Sequence, residues 1–150
     1  MQKVANLTGG LLDYWVALAL EIEGAKLKVM RTIYNGVPSQ GEPWCEIDCA
    51  PWTANELRLK GTAANSALGH HVFCPSTDWV QGGLLVDKRC IDIDQDGARS
   101  PDVKCRAVMT SFSKDVPQRR MSSFGPTALI AAMRAIVVAK FGEEVDGVVV

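Results

Sequence analysis

Residues Pro75-Ser-Thr-Asp-Trp-Val-Gln-Gly-Gly83 decide how the middle of this chain is read. The stretch is too polar for a core strand, and its proline and paired glycines argue against a helix interior. It therefore reads as a loop, with more chemistry than a plain connection needs. The Asp78 carboxylate can accept hydrogen bonds from backbone N–H groups two residues on, and Gly82 and Gly83 admit positive φ or a close backbone approach. Trp79 brings a broad apolar face with one N–H donor, beside the hydroxyls of Ser76 and Thr77 and the amide of Gln81. Two readings stay open at this level: a well-tied turn whose tryptophan plugs a gap in the core, or a binding loop.

Working outward, Leu84 to Ile93 reads as a strand, Asp94-Gln-Asp-Gly97 as a turn, and Val103 to Phe112 as the returning strand of an antiparallel hairpin. Upstream, Leu27, Val29 and Ile33 give the Ala25–Tyr34 stretch a period of two, closed by Asn35-Gly36. Val37 to Pro51 is rich in proline and glycine and reads as an excursion rather than a core element. Thr53 and Glu56 match a capping box for a short helix over 54–60, although Leu57 and Leu59 also alternate as in a strand. Residues 113–123 are polar, with Pro117 and two arginines, and read as an exposed mobile loop.

The two ends are helical. Leu11, Trp15, Leu18 and Ile22 recur at helical spacing over 8–23, with Thr8 as cap, Asp13 in the first turn and Gly24 as the stop. Pro126 opens a last helix whose buried face is Leu129, Ile130, Met133, Ile136, Val137 and Phe141, closed by Gly142. Thr127, Ala131 and Arg134 share another face, and residues 143–150 form a loose tail whose terminal valines could pair with a sheet edge. The fold class expected is α+β, with N- and C-terminal helices packed on a small antiparallel sheet of residues 26–34, 84–93 and 103–112.

At 150 residues the chain is expected to form a single domain with a core large enough to stand without staples. A net charge of −1 gives no basic field for nucleic acid and no polybasic cluster for a lipid surface. No apolar run approaches the roughly 20 residues of a membrane span, and the first residues lack the apolar core of a signal peptide, so a cytoplasmic location is expected.

Metal and catalytic patterns are weak. Cys45, Cys49, His71 and Cys74 hold enough soft ligands for one zinc, but the second pair is not a closely spaced Cys-x-x-Cys. Asp92, Asp94, Asp96 and Gly97 copy half a calcium loop, yet Val103 stands where a bidentate Glu is required. There is no Gly-x-Ser-x-Gly elbow, no phosphate-cradling glycine loop, and no third partner for a Cys74–His70 pair. The expectation is therefore no catalytic residues and no cofactor.

Three stretches taken together resemble one known family. They are Leu7-Thr-Gly-Gly-Leu-Leu-Asp-Tyr-Trp-Val-Ala17, the Pro75–Gly83 segment, and Gly125-Pro-Thr-Ala-Leu-Ile-Ala-Ala-Met-Arg134. They resemble the NinX-like small phage and prophage proteins, over the N-terminal helix, residues 75–93 and 124–145. Residues 35–70 look like extra length, an expected insertion, and 95–123 also departs from the pattern. The resemblance implies a phage or prophage origin and an accessory role in the host cytoplasm, without catalytic residues. The expected site joins Ser76, Thr77, Asp78, Trp79, Gln81, Gly82 and Gly83 to Thr127 and Arg134. There Arg134 either holds a small anionic molecule with the free N–H groups of the helix start, or pairs internally with Asp78 or Asp13. A host protein is the other expected partner. Alternatives are a homo-oligomeric interaction module and, more remotely, an enzyme acting on nucleotides.

Overall fold

The computed structural model describes residues 1–29, 31–34, 37–40, 43–49, 51–61, 70–113 and 116–147. In order they form β1 (Gln2–Lys3), a 3-10 turn (Val4–Asn6), α1 (Gly9–Ala19), β2 (Ala25–Lys28), β3 (Arg31–Tyr34) and β4 (Val37–Gln40). Then follow β5 (Trp44–Asp48), α2 (Pro51–Leu57), β6 (Lys60–Gly61), β7 (His70–Phe73), α3 (Trp79–Lys88) and β8 (Asp92–Gln95). The chain closes with a 3-10 turn (Pro101–Val103), β9 (Cys105–Ser113), β10 (Val116–Gly125), α4 (Ala128–Phe141) and β11 (Glu144–Val145).

The terminal helices form the centre. Leu12, Trp15, Val16 and Ala17 of α1 are buried with Leu129, Met133, Ile136 and Val137 of α4, each such large apolar side chain worth about 1.5–3 kcal/mol when removed from water. Trp15 meets Phe141 edge to face at 5.4 Å. Ala131, Ala132 and Ala135 are also buried, because α4 is covered by α1 on one side and by β9 and β10 on the other. Small residues let three elements approach one helix axis. Thr127 caps α4 by accepting from the Ile130 N–H at 3.2 Å, and Gly142 ends it at φ +88°. Pro126 precedes that cap rather than opening the first turn. Phe141, expected in the buried face, packs on Trp15 but remains 40% exposed.

α1 ends four residues earlier than its periodicity suggests: Glu21 already turns to positive φ, at +56°, three residues before Gly24, which is itself at +81°. Thr8 occupies the cap position without a side-chain hydrogen bond. Asp13 lies beyond the first turn and is buried, so it is not the dipole-facing carboxylate expected there.

The α+β class holds, but the strands differ. β2, β5, β7 and β6 form an antiparallel sheet in that order, under α1. β5 lies inside it, with Cys45 and Ile47 fully buried, so residues 44–48 are core and not an excursion. The stretch expected as one strand over 26–34 divides into β2 and β3, and β3 pairs instead with β4, Tyr34 opposite Val37. Asn35 and Gly36 lie outside the described residues. α2 starts at Pro51, which puts Thr53 inside the helix rather than at its cap.

The second sheet has the order β10-β9-β8, under α4. The expected hairpin partners are right in kind, but β8 is only 92–95, since residues 79–88 are helix. The supposed mobile loop contains β10, an edge strand paired with β9 from Arg119 to Gly125. Its polar sequence reflects its edge position. The tail is tied as well: Glu144 and Val145 pair with Lys3 and Gln2, and the Val4 N–H donates to the Glu143 carbonyl at 2.9 Å. Residues 148–150 lie outside the described residues.

Candidate functional site

The Pro75–Gly83 stretch is a tight turn followed by a helix start. Thr77 and Asp78 N–H groups both donate to the Cys74 carbonyl, at 3.2 and 2.9 Å. The Asp78 side chain then caps α3, accepting from Val80 N–H at 3.1 Å. The paired glycines are helical because the helix must lie against the turn that precedes it. A Cβ on Gly82 would stand 2.3 Å from the Pro75 carbonyl oxygen and 2.6 Å from Leu129 Cδ2. Packing, not positive φ, requires glycine there.

Two buried polar side chains hold the turn from either side. Gln81, 1% exposed, accepts from the Cys74 N–H at 2.8 Å and donates to the Val72 carbonyl at 3.2 Å. Asp13 of α1 accepts from the Ser76 N–H at 2.8 Å, while the Ser76 hydroxyl donates to the Gly9 carbonyl at 3.5 Å. Burial pushes the Asp13 carboxyl up to about 7, against the pull of its Ser76 hydrogen bonds.

With the turn fixed in this way, Trp79 projects outward, 60% exposed, and Val80 beside it is 55% exposed. Ser76, Thr77 and Trp79 form one wall of a cleft of about 250 Å³, and Thr127, Leu129 and Ile130 form the other. The tryptophan turn and the start of α4 are therefore neighbours. The tryptophan does not plug the core.

The remaining expected site residues are elsewhere or have other work. Asp78 is a cap, Gln81 and Gly82 are scaffold, and Gly83 sits in the helix beneath the Trp79 ring. Arg134 neither reaches the cleft nor pairs with Asp13 or Asp78. Its Nε donates to the Leu7 carbonyl at 3.0 Å and its Nη1 to the Phe124 carbonyl at 2.8 Å, both on the far side of α4. There it lines a larger open groove of about 930 Å³ between the N-terminal residues, β10 and the end of α4. Sequence reading passed over Val80 within the supposed loop, and assigned Leu129 and Ile130 to the buried face of the last helix. Phe141, assigned to that same buried face, and Phe124, beside the supposed 113–123 loop, both line the groove and were missed.

The zinc set does not converge. Register puts Cys45 opposite Phe73 and Ile47 opposite His71, and no group of three metal-binding side chains with suitable placement occurs among the described residues. Burial, helped by the charges of Asp13, Cys74 and Glu46, pushes the Cys45 thiol up to about 12, so it stays protonated. The calcium-like aspartates belong to a strand and its turn: Asp94 binds Arg99 and Arg106 at 2.7 and 2.6 Å, and Asp96 accepts from the Ala98 N–H. The side chain of His70 lies outside the described residues. No helix among the described residues is long and apolar enough to cross a membrane.

Fold and site together define a small α+β domain of two terminal helices between two antiparallel sheets, with an aromatic cleft at the start of its last helix. The family described as Bacteriophage P22, NinX matches residues 3–140, and the chain belongs to it. No curated protein matches. It is a phage accessory protein.

Proposed function

We propose that this phage accessory protein is a non-enzymatic binding module that docks a host protein through Trp79, Val80 and the adjoining cleft. The observation that carries the reading is the exposure of Trp79, 60% open to solvent although the turn bearing it is held by Asp13 and Gln81. A rigid base presenting an exposed tryptophan is the usual form of an interface anchor. Val80 extends the apolar surface, and the cleft is large enough for one side chain of a partner. Its volume of about 250 Å³ lies below the roughly 300–1,000 Å³ of small-molecule sites, which favours a protein over a free small ligand. The anionic-ligand version loses its support because Arg134 lies outside the cleft.

The test is photo-crosslinking in host cells from a reactive amino acid placed at Val80, with Trp79→Ala in parallel. A single host protein crosslinked by the parent and lost with Trp79→Ala, at unchanged thermal stability, is the expected result. Crosslinking only between copies of this chain would assign the face to self-association. An identical pattern with and without Trp79 would end the reading.

A further inference from the structure

The turn that carries Trp79 is tied on two sides, and the two ties differ in kind. Gln81 holds it to β7 through neutral amide hydrogen bonds, which do not titrate. Asp13 holds it to α1 through the Ser76 N–H, and the Ser76 hydroxyl adds only a long bond to the Gly9 carbonyl at 3.5 Å. Asp13 and Ser76 are both buried. The groups packed around Asp13 give its charge no counter-ion. β5 brings Cys45, whose thiol is pushed up in part by the Asp13 charge, and Cys74 and Glu46 act on that thiol in the same direction. β7 brings His71, on the same sheet face as Ile47. α4 brings Arg134, but the Leu7 and Phe124 carbonyls take its donors. Burial is the largest influence on the Asp13 proton, and the Ser76 bonds oppose it. A carboxylate so placed is costly to ionise unless water reaches it. Ser76 covers it, so lifting the turn from α1 is the local movement that lets water in.

We propose that the Asp13 proton is a latch for the Trp79 surface: while it is bound the turn is seated on α1, and its loss lets the turn lift. This inference rests on the docking reading and adds the regulation of that face. The seated turn keeps the carboxyl raised to about 7, whereas water returns it towards its ordinary 3.8. Seating is therefore strongest below about pH 4, weakens about tenfold per pH unit towards about pH 7, and is level at its weakest above that. Once the turn lifts, the wall formed by Ser76, Thr77 and Trp79 no longer has a fixed place against Thr127 and Ile130, and the cleft loses its shape. Gln81 keeps the other side of the turn on β7, so the opening is local.

Pulsed hydrogen exchange read by mass spectrometry tests the latch on the unaltered full chain, with each rate corrected for its intrinsic pH dependence. Opening of the Ser76–Asp78 amides is expected to rise about thirtyfold or more between about pH 5 and about pH 8, and to stay level in Asp13→Asn. Ser76→Ala keeps the N–H and should retain the rise. Its loss there would trace the effect to the hydroxyl and overturn the assignment. A level profile in the parent would overturn it too, as would turn amides that exchange only as slowly as those of Met133–Val137 in α4, since the turn would then open only with the whole molecule. The second arm is crosslinking from Val80 in host lysate at about pH 6 and about pH 8.5, where the parent yield should fall about twofold or more and that of Asp13→Asn should not. Equal falls in both proteins would overturn the regulation. A pH-dependent opening of the turn with no host protein crosslinked at either pH would support the latch and end the docking reading, so the two fail separately.

Discussion

Asp13→Asn separates the charge of the carboxyl that holds the central turn from its hydrogen bond. In the native protein Asp13 is 2% exposed and its carboxyl is raised from 3.8 to about 7, with desolvation the main cause. The folded state therefore keeps this proton after the unfolded chain has released it. Where the native state binds more protons, stability falls as pH rises, so Asp13 favours the fold most below about pH 4 and loses that contribution up to about pH 7. A displacement of about three pH units corresponds to about 4 kcal/mol over the whole window. About 3 kcal/mol of it falls between roughly pH 5 and 8.5. The amide introduced by Asp13→Asn would keep the oxygen that accepts the Ser76 N–H and would not ionise. Urea unfolding across this range should show the parent midpoint falling by about 1–2 M more than that of Asp13→Asn, given ordinary denaturant slopes. Other groups titrate in both proteins, so the difference between the two curves isolates Asp13. Parallel curves would refute the argument, showing that the folded protein ionises this carboxyl without strain.

Neighbouring glycines offer a paired test. Gly82→Ala should cost about 1–3 kcal/mol by forcing a Cβ against the Pro75 carbonyl and Leu129. Gly83→Ala meets only Trp79 Cε3 at 3.8 Å and should stabilise α3 by about 0.5–1 kcal/mol, both read as shifts in thermal midpoint. Thiol labelling at pH 8 should modify exposed Cys90 at once and buried Cys45 only on unfolding, as mass spectrometry of timed samples would report.

What could be read from the sequence followed its periodicity. α4 and α1 were legible because apolar residues recur along both at helical spacing, and long helices average out local exceptions. The 79–88 helix was not, because Gly82 and Gly83 look like breakers until the Pro75 carbonyl is seen pressed against the first of them. β10 was hidden by its polarity, which suits an edge strand but looks like a loop in one dimension. β5 was hidden by its flanking prolines and glycine, although its own Cys45 and Ile47 are core.

The candidate site was legible at its tip and not in its support. Trp79 and Thr127 could be guessed as neighbours from two unusual turns, and the cleft joins them. Arg134 was expected at that cleft because it shares a helical face with Thr127 and Ala131. In three dimensions two turns of α4 carry it to another side, where main-chain carbonyls of Leu7 and Phe124 take its donors. Because α4 is buried on nearly every side from Leu129 to Val137, its surface chemistry emerges only at its ends. The large apolar residues left exposed follow the same division: Trp79 and Val80 beside its start, and Met1, Val103, Phe124 and Phe141 around the groove at its end. A helix that can be seen only at its ends gives the molecule two separate apolar surfaces, so each can be altered without disturbing the other.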